Sequence, residues 1–258
     1  MYKNEKIGVG VITYNREELF KNVINAIKDI DYIDEIIIIK HQDKPYKKYH
    51  PKTFVNDKIK YKNVINDLGV ASVKNAAIKE LLNKKCDHIF TIEDDLEVID
   101  KNVFKYYIDA AKKNNIEHLN FCHTLKNSLC NINGLSFYGN LCGVFQYFTR
   151  RGLDIVGLMD ERYINALEHV EHSYRFHLMG LTAPKFHIFP DIENSVKCFK
   201  FKEDNETSII KTDEYHKNLI NAFKYFYERY GIEIRNIQPP TYQELINFYA
   251  FKQQMLRK

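Results

Sequence analysis

Short apolar runs with no polar face constrain this chain more than any other feature. Residues 7–12, 35–39 and 88–92 are strand-length stretches, the second carrying Ile36-Ile37-Ile38-Ile39 without a break. Strands apolar on both faces belong to parallel sheets covered by helices on either side. Helical spacing lies between them. Leu19, Phe20, Val23, Ile24, Ile27 and Ile30 recur on one face of residues 15–30, and Ala76, Ala77, Leu81 and Leu82 on residues 72–82. Asn15 with Glu18 three positions on makes a capping-box-like start. A helix over 102–112 and a strand over 118–122 continue the alternation. It predicts an α/β fold with a mostly parallel central sheet flanked by helices, and ligands at the carboxyl ends of its strands.

The second half is less regular. Residues 127–143 are rich in Asn and Gly and read as loops with a short hairpin. A strand is expected over 144–149, a helix over 168–179 stopped by Gly180, and a strand over 185–189. Residues 40–62 and 197–206 read as polar or charged connectors. A strongly aromatic helix over 213–230 ends at Gly231, and Pro239-Pro240 precedes a last amphipathic helix over 242–256.

Composition excludes several classes. The 258 residues suit one large domain or one domain with an appendage. The net charge of +4 lacks the clustered excess of a nucleic-acid reader. No stretch of about 18 apolar residues offers a membrane span, and the first residues carry no signal-peptide core. The 5 cysteines are scattered without a C-x-x-C pair, which argues against a zinc ribbon or disulfide framework and for a reducing, cytoplasmic setting. Aromatic residues make up 14%, as 18 Tyr and 17 Phe with no Trp, so any ring stacking falls to Tyr and Phe.

Three places concentrate chemistry. Glu93-Asp94-Asp95 follows directly on an apolar strand. Three adjacent carboxylates repel one another and call for a compensating metal or basic side chain, although a solvated loop entering a helix is the plain alternative. Glu168-His169-Val170-Glu171-His172 opens a helix. A carboxylate beside an imidazole there is a candidate general base, against the bland reading of an acidic helix start. It lacks the H-E-x-x-H pattern of zinc proteases. Gly69-Val70-Ala71-Ser72-Val73-Lys74 opens a helix with a cation in its first turns, a start able to face a phosphate.

The order of these pieces resembles the GT-A fold glycosyltransferases, specifically the inverting family 2 and its relatives. Thr13-Tyr14-Asn15-Arg16, the Gly69 to Ala77 helix, the Glu93-Asp94-Asp95 tip and Gly157-Leu158-Met159-Asp160-Glu161 ahead of Glu168 to Arg175 follow that family's series over residues 7–191. The resemblance implies transfer of a sugar from a nucleotide-sugar, expected as a UDP-sugar, to a hydroxyl of a glycan or lipid-linked glycan, with Mn²⁺ or Mg²⁺. Thr13, Tyr14 and Arg16 would line the base pocket, Lys74 would face the nucleotide, and Asp94 would lie at the donor phosphates. Asp95 and Glu93 would hold the metal, with His187 a further ligand or a plain strand histidine. Glu168, His169 and Glu171 are the candidates for the base, undecided among the three. The family's base-contacting Asp after the second strand is missing or displaced to Asp43.

Within this frame, residues 1–125 form a nucleotide half, 126–212 an acceptor half and 213–258 a helical extension. The alternatives are a non-catalytic nucleotide- or sugar-binding module and a nucleotidyltransferase. The latter would want a Gly-rich loop after the first strand, where Thr13-Tyr14-Asn15-Arg16 has none. A dinucleotide-binding dehydrogenase fails because Gly8 and Gly10 lie inside the strand without a third glycine. Phe223, Tyr225, Phe226, Tyr230, Phe248, Tyr249 and Phe251 are expected to pack back on the catalytic domain or into a homodimer. The competing expectation is peripheral attachment at the inner face of the membrane. Tyr138, Phe145, Tyr147 and Tyr163 are candidates for stacking on sugar.

Overall fold

The computed structural model describes residues 1–14, 16–41, 51–64, 69–122, 128–183, 188–202, 211–234, 241 and 243–247. Strands β1 (Ile7–Thr13), β2 (Glu35–His41), β3 (Ile59–Val64), β4 (His88–Glu93), β6 (His118–Asn120) and β9 (Phe145–Thr149) build the central sheet, in the order β3-β2-β1-β4-β9-β6. β1 to β4 are parallel, and β9 runs antiparallel to both β4 and β6. Helices α1 (Glu17–Ile27), α2 (Gly69–Asn83), α3 (Val103–Asn114), α4 (Arg150–Val156) and α5 (Glu168–Leu178) surround it. The expected mixed α/β fold with a mostly parallel sheet is the one observed.

Side-chain alternation along a strand explains why the runs had to be apolar throughout. Ile36 and Ile38 enter one core with Val9, Val11, Phe20 and Phe90. Ile37 and Ile39 enter the other with Ala77, Leu81, Phe148 and Phe176. The two glycines of β1 serve this second core. A Cβ on Gly10 would stand 2.6 Å from the Ala77 Cβ, and one on Gly8 2.5 Å from the Leu81 Cδ2. They let α2 lie close against the sheet, and alanine at either place would overpack the contact at a cost of about 1–3 kcal/mol.

Several boundaries differ from the sequence expectations for identifiable reasons. The connector over 40–62 ends inside β3. Only Ile59 of that strand is buried, and its lysines mark an edge strand that meets solvent. The connector over 197–206 contains β11 (Phe199–Phe201), paired with β5 (Leu96–Val98) just after the acidic tip. α4 had no apolar periodicity to announce it, but Thr149 caps it by accepting a bond from the Gly152 N–H at 3.0 Å. α1 begins at Glu17 after Arg16, with no side-chain cap. Asn15, expected to cap it, lies outside the described residues. Of the strand expected over 185–189, residues 185–187 lie outside the described residues, and β10 (Phe189–Ile192) starts at its last position. The hairpin expected in 127–143 is β7 (Cys130–Ile132) with β8 (Leu135–Tyr138), to which β10 adds a third strand.

Helix α6 (Asp213–Tyr230) packs back on α5, as the aromatic pattern suggested. Phe226 is buried against Tyr174, with ring centroids 5.2 Å apart, and Tyr230 meets the Tyr174 ring edge-on and the Phe226 ring at a tilt. Of the last expected helix, residues 243–247 are described and helical. Phe248, Tyr249 and Phe251 lie outside the described residues. No helix among the described residues is long and apolar enough to cross a membrane.

Candidate functional site

The carboxyl ends of the adjacent strands β1 and β4 bring Thr13, Tyr14 and Arg16 against Glu93, Asp94 and Asp95. Asp94 is almost fully buried and surrounded by donors. Its Oδ2 accepts from Thr13 Oγ1 at 2.8 Å and from the Tyr14 N–H at 3.2 Å, and its Oδ1 pairs with Arg16. Arg16 also reaches Asp95 Oδ2 at 3.0 Å. Burial pushes the Asp94 carboxyl up to about 7, opposed by the Arg16 charge. Burial and the neighbouring Glu93 push Asp95 up to about 6, again opposed by Arg16. Thr13 and Arg16, expected in a base pocket, are here engaged with the acidic tip.

Lys74 connects this tip to the helix that follows much later in the chain. It was expected to face the nucleotide, yet its side chain is only 1% exposed. Its Nζ contacts Glu93 Oε1 at 2.8 Å, donates to the Gly143 carbonyl at 2.8 Å and lies 3.5 Å from Glu168 Oε1. Against the burial that would neutralise it, Glu93 and Glu168 raise its pKa and keep it charged. A buried lysine persists in this form only when paired.

Glu168 is buried at the start of α5 and accepts a hydrogen bond from His169 Nδ1 at 2.8 Å. Burial alone would raise the Glu168 carboxyl, but the His169 imidazole and the Lys74 ammonium override it and hold it down at about 2. In its neutral form, an imidazole that donates Nδ1–H to this carboxylate carries its free electron pair on Nε2. The backbone enters this helix under strain: Leu167, immediately before Glu168, has φ 61°. A bulky residue in the left-handed region costs roughly 1–3 kcal/mol and persists where surrounding packing fixes it.

Glu171 does not join this group. It is fully buried, but its partners are Arg175 Nε at 3.0 Å, Tyr230 Oη at 2.6 Å and Arg229 Nη1 at 3.2 Å. It ties α5 to α6. His172 is likewise buried away from the cluster, bonded through Nε2 to the Gly157 carbonyl at 2.8 Å. His187 and Asp43 lie outside the described residues. Of the stacking candidates, Phe145, Tyr147 and Tyr163 are fully buried in the cores, which leaves Tyr138 partly exposed.

Two positions that sequence reasoning missed complete the arrangement. A Cβ on Gly143 would stand 2.9 Å from His169 Nδ1 and 3.2 Å from Lys74 Nζ, so only glycine lets this backbone lie over both. The available signal was a glycine directly before an apolar strand. Asn75 donates to the Met159 carbonyl and to Glu161 Oε1, both at 2.9 Å, and accepts from the Met159 N–H at 2.9 Å. It fixes the segment before α5 onto α2.

Four carboxylates (Glu93, Asp94, Asp95, Glu168) face two cations (Arg16, Lys74) in this cluster. The buried Asp95 Oδ1 has no hydrogen-bond partner. That atom and the surplus of acid fit a divalent ion. Among the described residues no three His, Cys, Asp or Glu side chains form a complete metal cage. The protein would therefore supply one or two carboxylates, with the remaining ligands from substrate phosphates and water, as hard divalent ions accept.

No protein-family model and no curated protein matches the sequence. Solved structures do match the fold. GalNAc-T7 with UDP, GalNAc and Mn²⁺ aligns at TM-score 0.57 and 13% identity, over 98% of this chain and 55% of that one. A mannosyltransferase from Pyrobaculum calidifontis in complex with GDP-Man and Mn²⁺ aligns at 0.52 and 12%, over 96% and 70%. S. aureus TarS 1–349 aligns at 0.49 and 15%, over 66% of this chain and 55% of its own. The fold of this chain is GT-A. It spans about half the length of two of these three chains.

Proposed function

We propose that this chain is a glycosyltransferase that moves a sugar from a nucleotide-sugar, read here as a UDP-sugar, to a hydroxyl of a glycan or lipid-linked glycan with inversion. The observation that carries the reading is the continuous network in which Lys74 joins an acidic tip at the carboxyl end of β4 to the Glu168–His169 pair. Two of the solved structures named above, GalNAc-T7 and the Pyrobaculum calidifontis mannosyltransferase, hold UDP or GDP-Man with Mn²⁺, which supports a nucleotide-sugar donor and a metal here as well.

In this reading the donor diphosphate lies over Asp95 and Glu93. A Mn²⁺ or Mg²⁺ ion held by Asp95, with Glu93 beside it, would neutralise the departing nucleoside diphosphate. His169 Nε2 takes the proton of the acceptor hydroxyl as its oxygen attacks the anomeric carbon opposite the leaving group. Glu168 holds the imidazole by its Nδ1–H and stabilises the imidazolium that forms. Lys74 keeps Glu168 ionised and in place. Glu171 plays no part in proton transfer. The protein works in the cytoplasm, at the inner face of the membrane where a lipid-linked acceptor requires it.

The purified protein incubated with UDP- and GDP-sugars and manganese would release nucleoside diphosphate, and Asp95→Ala would abolish the release. A chain that binds UDP without turning over any donor is a binding module, and that result sinks the proposal.

A further inference from the structure

Two cavities of about 460 Å³ lie outside the cluster just described. The one at the opposite end of the sheet is lined by charges that already neutralise each other, Glu5 with Lys112 and His88, and Glu117 with Arg151. The other lies on the three-stranded sheet of β7, β8 and β10. It is lined by Ser128, Asn131, Ser136, Tyr138, Glu193 and Asn194, with Val196 at its side.

Strand alternation accounts for the polarity of this second cavity. Leu135 and Phe137 of β8 point into the main core, so Ser136 and Tyr138 take the other face. The register sets Asn131 directly across from Ser136. Among the described residues the lining thus offers hydroxyls, carboxamides, one carboxylate and one phenol ring, and no cation. Phosphate or nucleotide recognition calls for Arg or Lys, and none of the described residues lining this cavity is either. Hydroxyls of a neutral sugar find both donors and acceptors in such a set, and the flat apolar surface of Tyr138 can cover sugar C–H groups.

Its position ties it to the reaction centre. Asp191 of β10 accepts from the Cys122 N–H at 3.0 Å, which fastens the small sheet to the carboxyl end of β6. Tyr138 lies five residues before Gly143, the glycine that abuts His169, so the chain between them spans at most about 17 Å. Tyr138 also packs on the same apolar cluster as Leu167 and Tyr215, the first of which directly precedes Glu168.

We propose that the cavity on the β7–β8–β10 sheet is an acceptor subsite, holding one sugar of a neutral oligosaccharide whose reactive hydroxyl lies at His169. The inference rests on the transferase reading but names the acceptor class: an extended uncharged glycan, gripped away from the bond being made.

Saturation-transfer NMR on the full chain, with cellotriose, maltotriose and chitotriose as probes, tests it without turnover. At least one trisaccharide should receive saturation, and Tyr138→Ala should weaken its binding at least tenfold. Asn131→Ala and Asn194→Gly serve should the tyrosine variant fail to fold. Both positions are exposed, and glycine tolerates the left-handed backbone of Asn194 (φ 60°). No transfer to any of the three sugars, or transfer untouched by these substitutions, overturns the subsite. Wild-type protein that binds a trisaccharide yet turns over no nucleotide-sugar would instead overturn the transferase reading and leave the subsite standing.

Discussion

Glu168 and Glu171 begin the same helix, three residues apart and both buried, yet they occupy different worlds. Glu168 faces His169 and Lys74, and through them the acidic tip of β4. Glu171 faces Arg175, Arg229 and Tyr230, and through them α6. The first carboxylate has a polarised imidazole as its neighbour; the second has two guanidinium groups that neutralise it outright. Equal burial and equal charge thus give the proposed reaction centre in one case and a structural anchor in the other. The partners, brought from distant parts of the chain, make the difference.

Substitutions can break or sharpen this contrast. The largest effect is expected for His169→Ala, which should lower kcat by about 10²–10⁴-fold, with a modest fall in the denaturation midpoint because the buried Glu168 loses one partner and keeps Lys74. Steady-state rates beside a urea melt would show it, and an active variant would remove the base from this helix end. Next, Glu171→Gln should do the opposite. Removing one partner of a buried ion pair costs about 3–5 kcal/mol, and because Arg229 keeps Asp160 and Arg175 keeps the Val156 and Leu158 carbonyls, the loss here should lie at the lower end. The melt should shift sharply while kcat below the transition holds. A stable but inactive Glu171→Gln protein would invert the comparison.

Smaller effects refine it. Glu168 stays ionised at any working pH, since its carboxyl is held at about 2. Glu168→Gln takes away the charge that would stabilise the imidazolium formed as the acceptor proton is taken, so kcat should fall about tenfold, equivalent to about 1.4 kcal/mol, with KM nearly unchanged. An unchanged kcat would deny the pairing any role in the reaction. Arg229→Ala should cost the least, about 0.2–1 kcal/mol, because its side chain is about a third exposed and solvent screens its pairs with Asp160 and Glu171. Its melt should fall between those of wild type and Glu171→Gln.

The same contrast explains what the sequence could reveal. The parallel sheet was legible because Ile36 to Ile39 must be buried on two sides, and periodicity reports burial directly. The acidic tip was legible because its three carboxylates are contiguous. The division of Glu168 and His169 from Glu171 was not, since it depends on Lys74 and Gly143 on one side and Arg229 and Tyr230 on the other. These groups lie 26 to 94 positions away, and no local pattern encodes such pairings. β3 and β11 escaped for the converse reason. Edge and two-stranded pieces carry too little burial to leave a period in their residues.

The antiparallel course of β9 has a consequence for how such a protein can change. β6 climbs to the reactive rim of the sheet, and β9 departs from that same rim, hydrogen-bonded to β6 from His118–Phe148 to Asn120–Gln146. Everything between them, the β7–β8 hairpin and Gly143 included, is an excursion whose two ends are pinned side by side. Such a segment can be lengthened, shortened or exchanged as a cassette while the sheet beneath keeps its register. Under the proposed acceptor subsite, exchanging the β7–β8 part of this excursion between GT-A proteins should change acceptor preference, provided Gly143 and its contact with Lys74 are kept.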